Sequence, residues 1–408
     1  MNKIKRMGSV AAWGILFFGL LHVNAAFEFQ SAEALAQWAR KYNVNCQTCH
    51  TAFPRLNYFG EKFKRNGYQM PGSRDGDETK QNVGNLWYDK LGHFLGIRTN
   101  VNAIRYEANA LTNNTRPRLS VGNPNWIQFF TGGSIFKDAS VFVETEILPT
   151  EAEINWFSLG YHNLFDSSLL NVRVGRISPM ENLGQSGRLR MIPNIRIETI
   201  SGIASSGGAA APEDSVPLAS AQSSLETYGY QGPFLYSLGV TNGAQLTDVN
   251  KFKNFFGTLR WEKEDGALAG SNIGTWGYLG WDTTAANTQS NRFWRTAGSA
   301  NLRYEKWDVI GLFIYGKDDN WNLSTGLDQT SKGASGQVGY LLTERWFPAL
   351  QYDWVDGTDG SDNFNRVSPA ITFMPRENMR FDLIGRFDLR DTAGGRRHEG
   401  QINIRSMF

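Results

Sequence analysis

From about Leu91 to Phe408 the chain runs as short segments in which apolar and polar residues alternate, separated by clusters of Gly, Asn, Asp and Ser. In Arg380-Phe381-Asp382-Leu383 and Arg386-Phe387-Asp388-Leu389-Arg390 the apolar residues hold one parity and the charges the other. The same alternation runs through Gly257 to Glu262, Asn301 to Glu305 and Leu350 to Trp354. A period of two marks extended chain with unlike faces, because successive side chains of a strand point to opposite sides. The pattern predicts sixteen strands, the first at about 91–106, with others at about 153–165, 308–317 and 333–343, and the last at about 398–408.

The links between these strands alternate in length, as with 107–125 before 137–138 and 318–332 before 344–345. An even strand count with long loops at one end and short turns at the other is the rhythm of an outer-membrane barrel, whose short turns face the periplasm. A soluble sandwich is the alternative, but it would hide its apolar parity in a core. Mean hydropathy is −0.39 with 13% aromatic residues and 43 glycines; a helical membrane bundle would be far more apolar. Barrel strands show lipid with every second residue only, so their average stays polar. Ile402, Ile404 and Phe408 share a parity that resembles a carboxy-terminal barrel-assembly signal, with Ser406 a poor member. The segment 177–223 is too long for a turn, and the sequence leaves open whether it folds into the lumen or stays outside.

Ahead of the barrel the pattern changes period. Lys3, Lys5 and Arg6 precede an apolar run from about Val10 to Leu21, followed by Val23-Asn24-Ala25, which predicts a signal peptide over 1–25 and export. Ser31 offers an N-cap for a helix with Leu35, Trp38, Ala39 and Tyr42 on one face. Pro54 suits the first turn of a second helix lined by Leu56, Phe59 and Phe63, and Asn66-Gly67 supplies its stop. Between them stands Cys46-Gln47-Thr48-Cys49-His50, which holds both cysteines of the chain.

Cys-x-x-Cys-His is the attachment signature of a c-type haem. Two thiols at this spacing meet two vinyl groups of one porphyrin, and the adjoining imidazole becomes the proximal iron ligand. A redox dithiol or a small disulfide loop would leave His50 unexplained. The mature chain offers His93, His162, His398, Met70, Met180, Met191, Met374, Met379 and Met407 for a sixth position. Met70 is the expected distal ligand because it stays close to the motif in Gly67-Tyr68-Gln69-Met70-Pro71-Gly72; His93 is the alternative. Asp75, Asp77 and Glu78 form an acidic cluster that reads as a solvated linker before it reads as an iron site, and Glu213 and Asp214 are weaker candidates still. The balance of 41 basic against 39 acidic residues argues against a nucleic-acid partner.

The expected fold is thus a transmembrane all-β barrel of about sixteen antiparallel strands over 89–408, with a small N-terminal α-helical monohaem cytochrome c module over 26–88. Cys46-Gln47-Thr48-Cys49-His50, then Phe53-Pro54-Arg55-Leu56-Asn57, Phe59-Gly60 and Asn66-Gly67-Tyr68-Gln69, joined to a barrel of this size, resembles the fused outer-membrane cytochrome-porin family. That family includes the ferrous-iron oxidases of iron-oxidising bacteria, and the likeness spans essentially the whole mature chain. It implies one-electron oxidation of extracellular Fe(II) through one covalent haem c, with electrons passed to a periplasmic c-type cytochrome, the haem lying inside or beneath the barrel. A diffusion porin with a haem-bearing plug, a conduit for another external donor, and a peroxidase are the alternatives. A peroxidase would need an open iron position and a distal acid-base residue, for which the sequence offers no candidate.

Overall fold

The computed structural model describes residues 37–74, 81–83, 86–88, 90–109, 117–185, 190–192, 219–243, 252–283, 289–322, 327–357, 364–389 and 397–408. The expected signal peptide, Ser31, Leu35, the Asp75, Asp77 and Glu78 cluster, Glu213 and Asp214 lie outside the described residues.

Sixteen antiparallel strands close into one barrel. In chain order they are β1 (Leu95–Asn109), β2 in two pieces (Arg118–Val121 and Asn125–Phe136), β3 (Ala139–Ile147), β4 (Ala152–Tyr161), β5 (Asn171–Ile177), β6 (Gln222–Gln231), β7 (Phe234–Thr241) and β8 (Asn254–Glu262). They continue as β9 (Asn272–Thr283), β10 (Ser290–Tyr304), β11 (Trp307–Asn322), β12 (Leu327–Tyr340), β13 (Trp346–Gly357), β14 (Phe364–Arg376), β15 (Met379–Asp388) and β16 (Arg397–Met407). The seam pairs β16 with β1, Met407 standing opposite Arg98.

The alternation read from the sequence sorts the two faces. Along β10 every second residue is buried without a break, the buried set running Asn291, Phe293, Arg295, Ala297, Ser299, Asn301 and Arg303. The interior of the barrel is rich in such polar groups, among them Glu144, Glu262, Asp308 and Arg380, while Leu238, Leu259, Ile273, Leu302, Phe313 and Leu350 stand exposed outside. A water-soluble sandwich would reverse these faces; an apolar exterior around a polar interior is what a hydrocarbon solvent selects. Phe136, Tyr161, Phe234, Trp261, Tyr304 and Trp307 are exposed at one rim, as an interfacial aromatic girdle requires.

That rim carries the two-residue turns 137–138, 232–233, 305–306 and 377–378, together with the start of β1 and the end of β16. It is the periplasmic rim by the rule that short turns face that side. At the opposite rim the expected boundaries shift. Strands expected at 308–317 and 333–343 run instead over β11 and β12, whose outer portions continue past the apolar stretch, with Lys317 paired to Asp328 at 3.0 Å. Backbone pairing needs no apolar face once the strands leave lipid, so the polar residues read as loop remain in the ladder. At the periplasmic rim, Leu91–Phe94 is a helical turn, and β1 begins only at Leu95. β4 stops at Tyr161, before Asn163 and Phe165 at positive φ.

The long link between β5 and β6 folds inward at its described ends. Trp276 donates to the carbonyl of Pro179 at 2.9 Å, and Arg380 donates to that of Met191 at 2.9 Å. Met180 and Leu183 pack with Phe256 and Trp276, while Met191 and Ile192 pack with Phe347 and Ile384.

Residues 35–408 form one compact unit, so the N-terminal helical segment is built into the barrel rather than hung beneath it. Its described helices are α1 (Gln37–Tyr42), α2 (Tyr58–Arg65) and the turn α3 (Leu91–Phe94). Pro54 does not open α2, as its sequence position suggests. It sits in the turn of a tiny hairpin, His50–Ala52 against Arg55–Leu56, and α2 starts after Asn57. The side chain of Asn57 accepts from the Gly60 N–H at 2.9 Å, satisfying a free donor of the first turn. Asn66 and Gly67, at φ +72°, end the helix as expected.

Candidate functional site

The motif is held from both sides. Cys46, Gln47 and Thr48 form a 3₁₀ turn whose cap, Asn45, accepts from the Thr48 N–H at 3.0 Å. The Cys46 N–H donates to Glu377 Oε2 at 2.9 Å, tying the motif to the β14–β15 turn. Asn57 donates through Nδ2 to the carbonyls of Gln47 at 2.9 Å and Thr48 at 3.0 Å, and its N–H donates to Cys49 O at 3.0 Å. A Cβ at position 60 would lie 2.1 Å from Cys49 O, so only glycine lets α2 approach the motif this closely.

The motif lines a cavity of about 1260 Å³, whose walls include Cys46, Cys49, His50 and Met70. His50 Nδ1 lies 3.2 Å from the Pro54 carbonyl, a contact that selects the tautomer with Nε2 left as a lone-pair donor. Burial lowers the His50 imidazole to about 4, so it stays neutral, the form that binds a metal ion. Burial, with the Glu377 carboxylate beside it, pushes the Cys46 thiol up to about 12, and burial pushes Cys49 up to about 11. A redox dithiol needs a depressed thiol, so this pair is ill suited to disulfide exchange. The Met70 carbonyl accepts from Asn66 Nδ2 at 2.9 Å and from the Ser73 N–H at 3.0 Å, which anchors its loop on the C-cap of α2.

Aromatic rings form much of the wall. Trp38 stacks on Tyr68 with centroids 4.7 Å apart and planes 3° apart, and Tyr68 stacks on Phe142 of β3 at 5.3 Å. Trp38 also donates to the Gly132 carbonyl of β2 at 3.1 Å. Phe59 and Phe63 of α2 line the same cavity.

Of the sixth-ligand candidates, Met70 and Met407 line the cavity, and His93 does not. His93 lies in α3. His162 is buried between Ser140 Oγ at 2.6 Å and Tyr228 OH at 2.9 Å. Met180, Met191 and Met374 belong to the luminal clusters.

Ion pairs seat the helical segment in the barrel. Arg55 reaches Asp308 at 3.0 Å, Arg65 reaches Glu262 at 2.7 Å, and Glu61 accepts from Arg260 at 2.9 Å and Arg303 at 2.5 Å. Burial raises the Glu61 carboxyl, but Arg303, Arg260 and Arg55 outweigh it and hold the group below the usual range. Lys64 meets Glu181, on the inward limb of the long link, at 3.0 Å. None of these partners was legible in the sequence; Arg55 and Asp308 stand 253 positions apart.

No protein-family model matches the chain, and no curated protein matches it. Among solved structures it is similar to an anion-selective porin from Comamonas acidovorans, with 12% identity, 77% of this chain and 99% of that chain covered, and a TM-score of 0.59. It is also similar to Salmonella typhi OmpF solved with daunomycin (12% identity, 77% and 97% covered, TM-score 0.53). The outer membrane channel DcaP of Acinetobacter baumannii gives 11% identity, 77% and 96% covered, and 0.53. The chain is therefore a porin-like closed β-barrel of the bacterial outer membrane.

Proposed function

We propose that this barrel is an electron conduit from extracellular Fe(II) to a periplasmic c-type cytochrome, in which Cys46, Cys49 and His50 would hold a single c-type haem. One observation carries the reading: the Cys-x-x-Cys-His motif and Met70 line one large cavity set in the periplasmic mouth of a closed barrel. A haem held there supplies a one-electron redox centre. The chain's own part is to position and seal. Pro54 orients His50, Asn66 and Ser73 fix the Met70 loop, and Trp38, Tyr42, Phe63 and Tyr68 keep water from the cavity wall. The ion pairs of Arg55, Glu61 and Arg65 hold the seal inside the lumen. Fe(II) loses one electron outside, so the ferric product forms on the far side of the membrane from the acceptor.

Purified protein in vesicles enclosing an oxidised cytochrome tests this. External Fe(II) should reduce the enclosed acceptor with the intact chain and fail to do so with Cys46→Ala. Equal rates in the two would sink the proposal.

The fold likeness to porins favours a second reading, a diffusion channel whose N-terminal segment is a removable plug. Large steady conductance through the haem-loaded protein in planar bilayers would establish it.

A further inference from the structure

A second, smaller cavity adjoins the main one, and Leu56, Lys64 and Glu181 line both. Arg55, Arg65 and Arg260 form further walls of the inner cavity, with Glu61. Arg55, Arg65, Arg260 and Glu61 belong to one connected set of ion pairs, while Lys64 and Glu181 belong to a separate, charge-balanced set with Arg173 and Glu226. Among the described residues the first set contains four cations, Arg55, Arg65, Arg260 and Arg303. It contains three carboxylates, Glu61, Glu262 and Asp308. One positive charge is left over in a buried site, where an uncompensated charge is costly. Moreover, Nε of Arg65 and Nε of Arg260 have no hydrogen-bond partner, although both side chains are more than nine-tenths buried. Surplus charge and idle donors on the walls of one cavity call for a single anion.

We infer that the inner cavity is a carboxylate site and that it receives one propionate of the haem held in the main cavity. This rests on the haem reading above. Leu56, Lys64 and Glu181 line both spaces, so the inner cavity adjoins the main one across the Lys64–Glu181 ion pair. A carboxylate there brings the missing negative charge and offers acceptors to the idle N–H groups, since charge-assisted hydrogen bonds to guanidinium are the stronger kind. The porphyrin is thereby joined to the network that reaches the barrel wall through Asp308, and cofactor and plug hold each other. A free inorganic anion has the same chemistry and is the alternative source.

The holoprotein is prepared with haem carbon-13 labelled at the propionate carboxyls, and redox-difference infrared spectra are recorded for the parent, Lys64→Gln, Arg65→Gln and the charge-keeping Arg65→Lys. Lys317→Gln, at the extracellular rim, is the control. The expected result is that the label-sensitive carboxylate bands shift in Lys64→Gln and Arg65→Gln, shift less in Arg65→Lys, stay put in the control, and ignore added phosphate. Covalently haem-loaded variants with unmoved bands would overturn the inference and leave the conduit standing. A haem signal in the parent that titrates with phosphate would also overturn it, in favour of a solution anion. Should Lys64→Gln fail to fold, the Arg65→Lys shift decides alone. A chain without covalent haem would overturn this inference and the haem reading together.

Discussion

At the scale of single residues, the cavity separates groups that would hold the proposed haem, Cys46, Cys49, His50 and Met70, from groups that position those side chains and their loops. Met70 is the distal candidate with an anchored carbonyl, and a thioether ligand raises a haem potential. Met70→Ala is expected to change the optical spectrum and lower the potential, within the roughly 0.8 V span that axial ligation covers. Met407 lines the same cavity, so an unchanged spectrum in Met70→Ala but a changed one in Met407→Ala would reassign the ligand. His162 gives a pH test. Burial, then Arg173 and Arg74, lower it to about 4 from an ordinary 6.5. The unfolded chain therefore binds the proton first as pH falls. Its contribution is complete above about 6.5 and is lost between there and about 4, by up to about 1.4 kcal/mol per pH unit. Urea unfolding across that window should show the loss, and His162→Gln should flatten it; an equal slope in both would refute the assignment.

At the scale of elements, α2 is the piece that joins motif to barrel. Its start at Asn57, its close approach at Gly60 and its end at Gly67 leave Glu61 and Arg65 facing the wall. Removing one partner of a buried pair costs about 3–5 kcal/mol, because the other charge stays behind unpaired. Asp308→Ala is therefore expected to loosen the plug and raise the population of unplugged barrels at least about a hundredfold. Single-channel recording would read this as new openings absent from the parent; silence in the variant would show that other contacts suffice. How much of this was visible beforehand follows from range. Alternation along β10 and β15 is local, so all sixteen strands could be read from neighbouring residues. The outer ends of β11 and β12 could not, because Asp318 and Lys317 look like loop until their cross-strand partners are known. Pro54 misled because one proline fits a helix start and a hairpin turn alike, and the competing cap, Asn57, acts through hydrogen bonds that cross from the motif. The motif itself was fully legible; Glu377, Glu181 and the arginines around Glu61 were not, since nothing near them in the chain marks them as its neighbours.

At the scale of the whole molecule, an apolar outside and a charged inside leave the lumen free to be filled by protein. The inward limbs pack on neighbouring stretches of wall, Met180 and Leu183 chiefly on β8 to β11, Met191 and Ile192 on β13 to β15 together with Ala52 of the N-terminal segment. Planar-bilayer measurements on the haem-loaded parent should show far less current than an open porin of the same strand number. Sustained porin-like current would favour the channel reading instead.

The seam between β16 and β1 has a consequence for biogenesis. The occupant of the lumen precedes β1, whereas the last strand to be made completes the ring, and Met407 on that strand touches the occupant's cavity. A finished hoop would have to admit a folded, charge-bristling core through its narrow rim. Threading is avoided if the wall curls around a core already in place, so the N-terminal segment should fold before the ring closes.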